Sequence, residues 1–115
     1  MDFVLTHSAE YLLCAVYKLF LSRLDLGQSR EKARDMENST YLHETLMPEC
    51  ALEDVDSFCR ELDGVGLFHC LKADDLCYSV ELTDAGIAYM EQRFHRKIDA
   101  VLEHLAKLKS LLPFL

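Results

Sequence analysis

Positive charge is scarce in this chain. Twelve Lys and Arg stand against 20 Asp and Glu, a formal net charge of −8. Such a surplus favours solubility and opposes non-specific attraction to nucleic acid or anionic membranes. Tryptophan is absent, and 115 residues hold only four glycines and two prolines. So little Gly and Pro argues against a disordered or fibrous chain and leaves no glycine-rich phosphate loop. Long apolar runs are missing too: the longest, Tyr11 to Tyr17, is far too short to span a bilayer. Asp2 follows Met1 where a secretory leader would carry basic residues. The expectation is a cytoplasmic protein with no membrane association.

No CxxC pair occurs among the five cysteines, Cys14, Cys50, Cys59, Cys70 and Cys77. An odd, scattered set reads as small buried hydrophobes with reduced thiols rather than as a disulfide framework. A zinc site from Cys59, His69, Cys70 and Cys77 would need neighbouring strand residues to reach one ion from opposite faces. No metal and no cofactor is therefore expected. The five histidines are dispersed, and no Ser-His-Asp or Cys-His local arrangement appears. The chain does not read as an enzyme.

What is present is an apolar half of the composition, enough for one core in a single domain over residues 1–115. Ser8 offers a cap for a first helix running to about Leu24, with Leu12, Val16 and Phe20 among apolar residues at three- and four-residue spacing. That helix is apolar on nearly every side, so it is central or covered by a second chain. Gly27 ends it, and Ser29 begins a charged stretch, SREKARDM, read as a solvated helix or ordered loop. A short helix over TYLHETLM stops at Pro48. Leu52, Val55, Cys59 and Leu62 then give one apolar face of a second helix. LFHCLKA and CYSVEL alternate on either side of Asp74-Asp75, a hairpin. From VELTDAGIAYMEQRF onward the pattern is helical to about Leu112: Val80 and Leu82 face the core, Thr83 caps, and Gly86 permits a close approach in the first turn.

A short helix (Thr40 to Met47), a turn at Pro48, a second helix (Leu52 to Asp63) and DGVGLF leading into a hairpin resemble a winged helix-turn-helix domain. LTDAGIAYME resembles the LTxxGxxxLE step that closes the wing and opens the last helix in MarR- and PadR-type transcriptional regulators. The fold so implied is mostly α (α+β), with a two-stranded wing and a long C-terminal helix. The function so implied is transcriptional regulation by a homodimer on double-stranded DNA. Ser57 and Arg60 would face the major groove, while Thr40, His43 and Lys72 would reach the backbone.

Charge opposes that function. LEDVDSFCRELD carries Glu53, Asp54, Asp56, Glu61 and Asp63 against Arg60, a sum of −4, and the wing tip sets Lys72 against Asp74 and Asp75. Neutralisation of phosphates by Lys and Arg supplies much of the affinity for DNA. The alternative is an adaptor that does not bind DNA and meets a basic protein partner through its acidic surface. The basic residues Arg23, Arg30, Lys32 and Arg34, in or just before the charged stretch, read first as solvated surface.

Residues 87–112 are expected to form one long dimerisation helix. Phe94, Ile98, Val101, Leu105, Leu108 and Leu112 recur at alternating four- and three-residue steps, a seam of coiled-coil type. With Leu12, Val16 and Phe20 of the first helix they form the expected dimer interface.

Overall fold

The computed structural model describes residues 3–73 and 75–112. The chain is mostly helical with one small antiparallel sheet, an α+β, winged-helix-like layout that ends in helix. The elements are α1 (His7–Asp25), α2 (Arg30–Arg34), α3 (Ser39–Leu46), α4 (Leu52–Gly64), β1 (Phe68–Lys72), β2 (Cys77–Leu82), α5 (Asp84–Phe94) and α6 (Ile98–Leu111).

Local chemistry fixes most of the boundaries. Thr6, rather than Ser8, caps α1 by accepting from the Ala9 N–H at 3.2 Å. Ser29 caps α2, Asn38 caps α3 and Thr83 caps α5. Each short polar side chain satisfies an amide that the first helical turn would leave unpaired. α1 runs through the middle of the molecule: Leu12 to Tyr17 are all buried, as are Phe20 and Leu21. Among the described residues no helix is long and apolar enough to cross a membrane.

β1 and β2 pair with Phe68 opposite Leu82 and Leu71 opposite Ser79, and the register then slips so that Lys72 faces Cys77. Tyr78 is the extra residue of this β-bulge. Strict alternation would turn Tyr78 inward with Val80. The bulge instead buries Cys77 and leaves Tyr78 59% exposed.

Residues 35–37 add a minimal third strand on the far side of β2, which the sequence pattern did not reveal. Asp35 bridges Glu81, the Met36 N–H donates to the Val80 carbonyl at 2.9 Å, and the Val80 N–H donates to the Glu37 carbonyl at 3.1 Å. Met36 is fully buried there, so the end of the charged stretch is part of the body.

Thr83 to Gly86 form the joint between wing and α5. Thr83 Oγ1 lies 2.7 Å from the Gly66 carbonyl and 2.9 Å from that of Leu67, and accepts from the Gly86 N–H at 2.9 Å. A Cβ on Gly86 would stand 2.3 Å from the Leu67 carbonyl oxygen, well inside contact distance. Glycine is required because the α4–β1 turn passes directly over the first turn of α5.

The single helix expected over 87–112 is broken. His95 (φ 50°) and Arg96 (φ 59°) are left-handed, and Lys97 leads into α6. The corner turns α6 back to pack along α1. Continuing straight would have left the apolar seam in water.

The seam expected to face a second chain therefore faces α1. In the single chain Leu12, Val16, Phe20, Phe94, Val101, Leu108 and Leu112 are all buried, and Ile98 and Leu105 are partly buried against the same core. A polar cluster pins this packing. Glu10 of α1 accepts from Arg93 of α5 at 3.0 Å and lies 3.1 Å from His104 Nε2 of α6. Burial pushes the Glu10 carboxyl up, but the hydrogen bonds from His104 and Arg93 outweigh it and hold the group below its ordinary value.

Candidate nucleic-acid interface

The five residues expected to meet DNA lie on α3, α4 and β1, and their availability differs sharply. Ser57 is exposed on the outward face of α4. Thr40 and His43 lie one turn apart on α3 and are half-buried, and the His43 Nδ1 is buried without a partner among the described residues. Arg60 and Lys72, the two cations, are both engaged by carboxylates of α4 itself.

Asp56 sits on the inner side of α4 and is 5% exposed. Its Oδ2 accepts from Arg60 Nε at 2.7 Å, one helical turn on. Its Oδ1 accepts from the Ser39 hydroxyl and from the Cys77 N–H, both at 2.7 Å. One carboxylate thus joins the start of α3, the middle of α4 and the start of β2. Burial alone would raise its pKa, but the Cys77 N–H, Arg60 and Ser39 together bring it below the ordinary value.

Asp63 does the same for the other strand. Its Oδ1 accepts from the Cys70 N–H at 3.1 Å, an amide on the edge of β1 that faces away from β2, and its Oδ2 pairs with Lys72. Burial raises the Asp63 carboxyl, while Lys72 and the Cys70 amide lower it further, so the net shift is downward. The pairing raises the ammonium of Lys72 in turn. Glu61 accepts from both the backbone N–H of Thr6 (2.8 Å) and its hydroxyl (2.9 Å), at the entrance to α1.

Three of the five acids on α4 are therefore turned onto the elements around the helix. Only Glu53 and Asp54, in its first turn, are exposed. There they face the positive end of the helix dipole, in a helix without a side-chain cap. One sign of this clamp is present in the spacing: Asp56, Arg60 and Asp63 fall at i, i+4 and i+7, a single stripe beside the apolar face. Spacing carries no sign of the strand amides that the stripe meets.

Three of the four basic residues in or just before the charged stretch are engaged as well. Arg23 donates to the Asp35 carbonyl at 2.6 Å and to the Tyr41 hydroxyl at 2.8 Å. Arg30 and Arg34 share Asp84 Oδ1, at 3.2 and 2.6 Å. Lys32 is exposed.

The thiols offer no reactive centre. All five are free and buried. Burial pushes Cys14 up to about 12 and Cys50 to about 11, and raises Cys59, Cys70 and Cys77 as well. His69 is exposed and Cys70 buried, on opposite faces of β1. Among the described residues no three His, Cys, Asp or Glu gather as metal ligands. Compared with known proteins, the chain matches no family model, no curated protein and no solved structure.

Proposed function

We propose that this chain is a protein-interaction module that uses a winged-helix-like scaffold without reading DNA. One observation carries the proposal: Arg60 and Lys72, the only Lys or Arg on α4 and the wing, are each held by a carboxylate of α4. Moving either cation to a phosphate would strand Asp56 or Asp63 next to the polyanion, a repulsion that adds to the loss of the pair. The exposed charges left on the outward face of α4 are Glu53 and Asp54. They suit a partner bearing lysines or arginines. A cytoplasmic setting fits the five unpaired thiols.

The competing reading, a DNA-binding homodimer of the MarR or PadR type, rests on the local motifs of the wing and its joint. Titrating labelled mixed-sequence duplex with the protein at low salt separates the two. The adaptor reading expects no salt-sensitive binding. Binding that weakens steeply with salt and is reduced by Arg60→Ala would establish α4 as a reading head and overturn the proposal.

A further inference from the structure

A cavity of about 200 Å³ opens between the second half of α1, the start of α2, α5 and the corner before α6, lined by Phe20, Leu24, Arg30, Ile87, Glu91 and Arg96. Its floor is hydrocarbon: Phe20 and Ile87 belong to the core, and Leu24 is partly buried against it. Two guanidinium groups and one carboxylate stand around it, a local excess of one positive charge in a chain whose net charge is −8. Arg30 is only the second partner of Asp84, whose Oδ1 lies closer to Arg34 (2.6 Å against 3.2 Å), and the Arg30 side chain is 57% exposed.

Two further observations mark the same place. Tyr17, behind the cavity, is completely buried and stacked beside Phe20; burial and the charge of Glu91 raise its hydroxyl, while the charge of Arg96 and a hydrogen bond from its backbone oppose them. In addition, Arg96 holds a left-handed backbone (φ 59°) that glycine would adopt without strain. Strain of this kind gathers where a side chain is needed at a fixed place.

We infer that this cavity is a binding site for a small carboxylate with a short hydrocarbon body, its carboxylate at Arg96 and Arg30 and its chain on Phe20, Leu24 and Ile87. The volume lies below the roughly 300–1,000 Å³ of pockets that take drug-sized ligands, so the ligand is a fragment of that size. Guanidinium groups bind carboxylate and phosphate alike, and the hydrocarbon floor selects the carboxylate with a body. The inference is independent of the DNA question, because neither α4 nor the wing lines the cavity.

The test is an amide NMR titration of the whole chain with hexanoate, hexanamide and inorganic phosphate. Hexanoate is expected to give saturable shifts centred on Leu24, Ile87 and Arg96, and to bind at least tenfold more tightly than the other two. Arg96→Gly relieves the left-handed backbone while deleting the guanidinium. It should therefore keep or raise the melting temperature and weaken hexanoate by about tenfold, the loss of one hydrogen-bonded charge. Absence of saturable shifts, equal binding of hexanamide, tighter binding of phosphate, or an Arg96→Gly protein that binds hexanoate unchanged would each overturn the inference. If Arg96→Gly fails to fold, Arg96→Gln gives the same comparison with the backbone strain retained.

Discussion

Asp56 shows why an acidic residue on a helix need not be a surface residue. Its two oxygens accept three hydrogen bonds from three elements, in a position that solvent hardly reaches. Without this carboxylate the buried Cys77 N–H loses its acceptor, and an orphaned buried donor costs about 1–3 kcal/mol. Asp56→Ala should accordingly destabilise the chain by about that amount in urea unfolding, and Arg60→Ala, at a half-exposed partner, by clearly less. The sign of the pH dependence follows from the depressed pKa. Stability from Asp56, Asp63 and Glu10 is fully present above the ordinary carboxylate range and is lost as pH falls through their lowered values. Urea midpoints measured between pH 7 and pH 3 should fall with acid in the wild type, and less steeply in Asp56→Asn. Gly86 makes the complementary case of a residue that must be absent of side chain. A Cβ 2.3 Å from backbone oxygen cannot be relieved by a rotamer change, so Gly86→Ala should cost at least about 3 kcal/mol, the upper range for overpacking, or prevent folding.

At the scale of elements, the joint between wing and α5 was readable because its whole logic is local: a capping threonine, an acidic first turn and a glycine three residues on. The corner between α5 and α6 was not. Left-handed backbone is usually announced by Gly or Asn, and here His95 and Arg96 adopt it without either. The apolar repeat crosses the corner unbroken, because both helices bury their seam on the same α1. His95→Gly should therefore stabilise the chain by about 0.5–1 kcal/mol, as relief of left-handed strain outweighs the added freedom of the unfolded state. A melting temperature lowered by that change would mean that the ring of His95 holds the corner. The strand over residues 35–37 leaves no pattern for a different reason: one bridged residue is too short to show alternation. The candidate site was half legible. Its residues lie on the elements expected, but the pairings Asp63–Lys72 and Asp56–Cys77 are tertiary and leave no spacing to read.

For the whole molecule, the consequence of the corner is that α1 is covered by its own chain. The nearly all-apolar first helix needs no second copy to explain it, because α6 lies along it and Glu10, Arg93 and His104 tie the three helices together. Sedimentation at tens of micromolar should give a monomer, and Val101→Glu should unfold the chain rather than alter its association, since Val101 is fully buried within it. A wild-type dimer that Val101→Glu converts to a folded monomer would restore the seam as an interface. The acidic net charge acquires a similar internal explanation: part of it is spent holding the wing to α4.

That clamp is the centre of the account, and site-resolved titration of the carboxyl carbons by NMR tests it most directly. Asp56 and Asp63 should both titrate below the ordinary aspartate value of 3.8, and Asp63 should move back towards that value in Lys72→Ala. Ordinary titration of both groups in the wild type would mean that the carboxylates are free in solution, and the acidic helix would again need a partner outside the chain.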